Sequence, residues 1–355
     1  MFAIDSHLDL AMNAVLWDRD LRLSAHETRE LERAEGKTRK GRCAGTVGIP
    51  DLRAGEFGLV FATVLARKNQ GINSGIDFRT HEIAYAQAQG QLAHYRELER
   101  QGVMRMIRTV ADLTSWRAAW DADPATAPIG YVLLMEGADP IVEPEQARSW
   151  WDDGLRMVGL AHYGPSAYAF GTASAGPLTD KGRALIDVMN EIGMIQDISH
   201  LTDESFYEAI DRYTGPIFAS HSNCRALVPG DRQLSDDMIR RVVERDGVIG
   251  AVMDAWMLQP NWERGVTTNE HVTLATVVDH IDHVCQLVGN ADHAAIGSDL
   301  DGGYGTEQTP KDLDTIADLQ KIPELLRGRG YSEADVARIM HGNWHRFLER
   351  ALPAG

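Results

Sequence analysis

The chain is poor in cations. Its 355 residues carry 35 Lys and Arg against 52 Asp and Glu, a formal charge of -17. That deficit argues against nucleic acid or an anionic membrane surface as a partner, since both are held by Lys and Arg facing phosphate. Lysine is scarce in particular. The six, Lys37, Lys40, Lys68, Lys181, Lys311 and Lys321, all fall in segments read as helix or loop, so no strand-borne amine is on offer for a Schiff base or a carbamate bridge. Cysteine is scarcer still: Cys43, Cys224 and Cys285 show no CxxC spacing, which fits reduced thiols better than a disulfide framework or a cysteine zinc site. There is no run of 18 consecutive apolar residues, and no basic stretch leading into an apolar one at the start. Neither a transmembrane helix nor a signal peptide is therefore expected, and the expected location is cytoplasmic. Neither the GxGxxG nucleotide fingerprint nor the GxSxG nucleophile elbow occurs, and "GKT" at 36–38 has Leu31 where a phosphate-binding loop requires glycine.

What is present is a hydrophobic content of 44%, enough for a sizeable core, arranged as short apolar runs with helical patterns between them. The runs at 2–4, 58–65, 129–135, 157–161, 194–199, 217–220, 248–253 and 294–298 read as strands. A ninth, at 104–109, carries Arg105 and Arg108; a parallel strand covered on both faces should be almost continuously apolar, so this one is expected to be accessory. Helices are signalled from Thr179, Thr202 and Ser235, with Gly193 and Gly247 where helices end. Strand and helix alternating eight times predicts one (β/α)8 barrel over residues 1–355, with extra loops at the C-terminal face of the strands, rather than a doubly wound sheet. No repeat, low-complexity segment or linker divides the chain. The charged stretch from Arg19 to Arg42 reads as a long loop and a solvated helix near the barrel mouth. His280 and His283 fall on a half-solvated helix face.

In such a barrel the chemistry sits at the C-terminal ends of the strands. His7 and Asp9 of "IDSHLDL" follow the first run, Glu136 the third, His162 the fourth, His200 the fifth, His221 the sixth and Asp299 the eighth. Taken singly each has an ordinary explanation: a histidine satisfied in the core, or an acid capping the next helix. Seven together ask for another one. Imidazoles and carboxylates converging from several strands are the donor set of a hard or borderline divalent cation. His7 and Asp9, two apart on an extended chain, point the same way and can hold one ion. His200 and His221 can hold another, and Glu136, with two oxygens, could bridge both.

The order HxD, "MEG", "LAH", "DISH", "SHSN" and "GSDLDG" resembles the renal or membrane dipeptidase family, metal-dependent peptidases of the amidohydrolase superfamily. The likeness runs from Asp5 to about Leu348, and "DISH" followed some twenty residues later by "SHSN" is its most specific part. The resemblance implies a (β/α)8 barrel with two Zn2+ that hydrolyses dipeptides, often with a D-residue at the C-terminal side, and it is compatible with a homodimer. By this resemblance His7 and Asp9 match ligands of one zinc, His200 and His221 those of the other, and Glu136 the bridging carboxylate. Asp299 matches the catalytic acid/base, His162 the histidine that polarises the scissile carbonyl, and Arg232 of "DRQL" the receptor for the substrate carboxylate. The implied chemistry is attack of a metal-bridging hydroxide on the amide. There are departures: "HYGPSAYAFGTASAGPLT" after His162 lacks the family's Asn-containing loop, and "EGA" stands for "EGG". A related amidohydrolase acting on another small amide or a lactone, and a catalytically silent metal- or ligand-binding barrel, are the alternatives.

Overall fold

A computed structural model of the chain describes residues 1–69 and 75–355. Eight parallel strands form its centre: β1 Ala3–Leu8, β2 Phe57–Val64, β3 Ile129–Met135, β4 Leu155–Gly159, β5 Ile195–Asp197, β6 Ile217–Phe218, β7 Ile249–Ala251 and β8 Ala294–Ile296. β1 to β6 are hydrogen-bonded in that order. The Ala219–Ile249 bridge joins β6 to β7, and β7 pairs with β8. Closure falls to side chains and one backbone bond. Ser6 Oγ donates to the carbonyls of Ser220 and Ile296 at 2.5 and 3.1 Å, Ser298 N–H donates to Asp5 Oδ1 at 2.9 Å, and Asp299 N–H donates to the His7 carbonyl at 3.2 Å. Gly250 and Gly297 admit this close approach: a Cβ on either would stand 2.2 or 1.8 Å from the Ser220 carbonyl oxygen.

β2 and β3 are buried along their whole length, as expected of parallel strands covered on both faces. The short strand Met104–Met106 is accessory, as expected of a run that carries Arg105 and Arg108. It pairs with the N-terminal half of β3, on the edge whose C-terminal half belongs to β4. The hydroxyls of Thr179, Thr202 and Ser235 cap helices Asp180–Ile192, Asp203–Arg212 and Asp236–Glu244, accepting from Gly182, Ser205 and Met238 N–H. Gly193 ends the first of these at φ 76°.

Several expectations need correction. β1 continues to Leu8 instead of stopping at Ile4, because Asp5 and Ser6 are seam fasteners, and His7 therefore lies within the strand. Lys68 is strand-borne after all, but in the two-residue strand Arg67–Lys68, which pairs with Asp77–Phe78 outside the barrel. The third helix ends before Gly247, and the left-handed turn beyond it is taken by Asp246 at φ 53°. Helix Ala25–Ala34 is not simply solvated: its buried Glu32 stands 2.8 Å from Arg19 and 3.0 Å from Arg42. His280 is buried and accepts the Cys224 N–H, while His283 pairs with Asp236 at 2.8 Å. Among the described residues no helix is long and apolar enough to cross a membrane.

Candidate metal and catalytic site

Six of the eight strands place a polar residue three positions beyond their last ladder residue: Arg67 after β2, His162 after β4, His200 after β5, His221 after β6, Asp254 after β7 and Asp299 after β8. β1 and β3 turn sooner and present Asp9 and Glu136 one residue beyond. The chain leaves the sheet under strain at two of these points. His200 and Asp299 adopt φ of 68° and 57°, a left-handed conformation costing a non-glycine residue on the order of 1–3 kcal/mol, and such outliers concentrate at functional sites. Gly302 makes room for the second: a Cβ there would lie 2.0 Å from Asp299 Oδ1.

Glu136 is the hub. Its Oε1 lies 3.4, 3.2 and 3.5 Å from Nε2 of His162, His200 and His221, and its Oε2 lies 3.5 Å from His7 Nε2. His7 Nε2 is also 4.0 Å from Asp9 Oδ1 and 3.9 Å from Asp299 Oδ1, and the Nε2 atoms of His200 and His221 stand 3.1 Å apart. Three sets of ligand atoms each fall within 4.8 Å: His7, Asp9 and Glu136; Glu136, His162 and His200; His7, His221 and Asp299. The structure thus brings together all seven strand-end residues singled out in the sequence. His221 clusters with His7 and Asp299 as well as approaching His200.

The residues fit divalent ions. Among the described residues, His7 Nε2 and Glu136 Oε2 are buried side-chain atoms with no hydrogen-bond partner, and they face one another. Unpaired buried polar atoms are costly and ask for an explanation, and a cation between them supplies one. Burial alone would lower the His7 imidazole, yet Glu136, Asp9 and Asp299 push it up to about 10: the pocket is built to hold positive charge at that atom. Burial, with Glu136, raises Asp9 to about 7, and Asp299 is raised well above the usual carboxylate range chiefly by burial. Burial also lowers His200 and His221 well below the ordinary imidazole value, and both are neutral, the form that ligates metal.

A hydroxyl backs each of these three rings. Ser220 Oγ gives its proton to Asp197 Oδ2 at 2.6 Å, so the same oxygen can accept from Nδ1 of His7 at 3.1 Å and of His221 at 2.8 Å. Thr172 Oγ1 stands 3.0 Å from His200 Nδ1. With Nδ1 carrying the hydrogen, Nε2 keeps its lone pair toward the cluster. Thr63 Oγ1 donates to Asp9 Oδ1. In contrast, Asp5 and Asp301, which share motifs with the site, are structural. Asp301 accepts from Thr46 N–H and Oγ1 at 2.7 and 2.8 Å.

The cluster floors a cavity of about 300 Å³ whose walls include Trp17, Tyr163, Arg232, Asp254, Trp256 and Met257. Arg232 is buried, donating to the His221 carbonyl at 2.8 Å and Ser222 Oγ at 3.3 Å, and makes no ion pair among the described residues. Asp254, overlooked in the sequence, accepts from Gln308 Nε2 at 2.6 Å and is raised to about 6 by burial. Arg67, also overlooked, reaches His162 Nδ1 at 3.1 Å. Arg39 and Lys40, from the charged stretch, line the mouth as expected.

Comparison with known proteins finds relatives of the chain. It matches the membrane dipeptidase family, peptidase family M19, over residues 1–353. Dipeptidase aclJ of Aspergillus oryzae is 31% identical over 310 residues, 86% of this chain and 69% of that protein. An uncharacterized dipeptidase of Schizosaccharomyces pombe is 33% identical over 224 residues, 61% of this chain, and the match spans about half of that relative (51%). A crystal structure of a metallo peptidase from Rhodobacter sphaeroides, liganded with a phosphinate mimic of the dipeptide L-Ala-D-Ala, superposes with a TM-score of 0.79 over 99% of both chains at 23% identity. At that identity the likeness is one of fold.

Proposed function

The chain belongs to the membrane dipeptidase family, peptidase family M19, and we propose that residues 1–355 act as one catalytic barrel, a zinc-dependent dipeptidase using two ions. The observation that carries this reading is the pairing, in one cavity, of the histidine–carboxylate cluster with the buried guanidinium of Arg232 that has no ion pair among the described residues. A buried cation is tolerated where an anion completes it, and the free carboxylate of a dipeptide is such an anion.

In this reading His7 and Asp9 would hold one ion and His200 and His221 the other, and Glu136, with an oxygen toward each group, would serve both. Bound divalent ions supply an acidified water and Lewis-acid polarisation of the scissile carbonyl at neutral pH. Asp299, 3.9 Å from His7 Nε2, takes the proton of the attacking water and returns it to the leaving amine. His162, lowered to about 3 by burial and so neutral at working pH, donates a hydrogen bond to the carbonyl oxygen. Arg232 fixes the C-terminal carboxylate and so the register of the scissile bond. The mimic bound by the Rhodobacter protein makes L-Ala-D-Ala the first substrate to try, and a D-residue at the C-terminal side is part of the proposal. The test is hydrolysis of L-Ala-D-Ala by metal-replete protein, abolished by chelation and restored by Zn2+. Turnover of a lactone or of a carboxyl-free amide at equal kcat/KM would instead assign the site to another amidohydrolase chemistry.

A further inference from the structure

We propose that Arg67 is a positioning residue that fixes the tautomer of His162, making it the hydrogen-bond donor of the histidine cluster. Arg67 is buried, and its Nη1 lies 3.1 Å from His162 Nδ1. Its Nε and Nη2 stand 2.8 and 2.7 Å from Asp77 Oδ1, which holds the guanidinium plane. A guanidinium has only N–H donors and does not lose its proton. His162 Nδ1 is therefore the acceptor, and a neutral imidazole with its lone pair on Nδ1 carries its hydrogen on Nε2. Nε2 is the atom turned to the site, 3.4 Å from Glu136 Oε1.

The contrast with the neighbouring rings is chemical. His7, His200 and His221 have hydroxyl oxygens behind Nδ1 that can accept its hydrogen, which frees Nε2 as a lone pair for an ion. His162 has a permanent donor behind Nδ1, so it has no lone pair to offer where the metal cluster lies, although its Nε2 stands as close to Glu136 as theirs. Asp139 locks the register of the two elements. It accepts from Lys68 N–H at 2.9 Å and from Ala167 N–H at 3.2 Å, joining the Arg67 segment to the loop that follows His162.

The test has a spectroscopic arm that needs no activity and a kinetic arm that rests on the dipeptidase reading. In full-length, Zn2+-loaded protein labelled with 15N-histidine, with His162 identified by the signals lost in His162→Asn, the expected pattern is a protonated Nε2 and an unprotonated Nδ1. Arg67→Met, combined with Asp77→Asn to neutralise the facing carboxylate, is expected to lose that pattern. It should also lower kcat on L-Ala-D-Ala roughly tenfold to a hundredfold with little change in KM or metal content. Arg67→Lys, which keeps a cationic donor, should recover part of kcat. A protonated Nδ1 on His162 in the parent protein overturns the proposal, as does an unchanged tautomer or an unchanged kcat in the double variant. If the double variant does not fold, the parent spectrum and Arg67→Lys still decide. If no dipeptide is cleaved, the dipeptidase reading fails while the spectrum still reports the tautomer.

Discussion

Replacing Arg232 by methionine separates substrate recognition from stability, because the two effects carry different signs. In the folded chain Arg232 is 3% exposed and its guanidinium is bonded to the His221 carbonyl and Ser222 Oγ, with no carboxylate within ion-pair distance among the described residues. A buried charge without a counterion retains a desolvation penalty that an apolar side chain of similar length lacks. Against this, the variant loses two hydrogen bonds from a charged donor, each worth about 1.5–3 kcal/mol. These effects offset, so the melting temperature should hold or rise slightly. Substrate binding has no such offset. Truncating one member of a desolvated charge pair costs about 2–5 kcal/mol, and at about 1.4 kcal/mol per decade a loss of 2–4 kcal/mol is roughly 30- to 1,000-fold in kcat/KM. The assay compares L-Ala-D-Ala with its C-terminal amide on parent and variant, with metal content measured alongside because Arg232 also braces His221. The loss should be confined to the free acid. An equal loss on both substrates, or none on either, would remove Arg232 from carboxylate recognition.

Much of the site was legible because most barrel strands announce themselves as short, largely apolar runs and the functional residue stands where the run ends. Glu136 follows its run directly, and His200 and His221 each follow theirs behind one serine, Ser199 and Ser220. The failures have separate physical causes. The first strand reads as ending at Ile4 because apolarity stops there, yet the ladder continues through Asp5 and Ser6, whose polarity is consumed inside the barrel by the Ser220 and Ile296 carbonyls and the Ser298 N–H. Asp254 ends its run as plainly as Asp299 ends its own, and the three-residue offset shared by six strands would have found it and Arg67 together. Arg67 gives no metal-site signal in the sequence because arginine is no metal ligand; its role depends on what stands opposite, His162 Nδ1, 95 residues away in sequence. The hydroxyls behind the ligands carry no local signature at all. Ser220 matters only because Asp197, from the adjacent strand, takes its proton and turns its oxygen into an acceptor.

Three further outcomes are expected. Elemental analysis of protein from metal-replete culture should find two divalent ions per chain; His200→Ala should lose one site preferentially, and one ion or none in the parent would count against the binuclear reading. Asp299→Asn should keep both ions while kcat falls about 10²- to 10⁴-fold; because burial holds this carboxyl well above its usual range, the amide should not lower the melting temperature, and unchanged kcat would remove Asp299 from the mechanism. The last concerns Glu32, which no chemistry requires. It accepts from Arg19 Nε at 2.8 Å and from Cys43 N–H, with Arg42 Nε 3.0 Å away. Burial alone would raise its carboxyl, and these donors instead hold it below the usual glutamate value. A carboxylate whose pKa is lower folded than unfolded contributes stability that is complete above the unfolded value of about 4.3 and is lost as pH falls through the folded one. Glu32→Gln should therefore cost roughly 3 kcal/mol at pH 7, the scale for breaking a buried ion pair from one side. The gap between parent and variant in urea denaturation should narrow as pH drops below about 4. A gap that stays constant from pH 7 to pH 3 would mean that packing and neutral hydrogen bonds, not the charge on Glu32, hold the 19–42 segment against the barrel mouth.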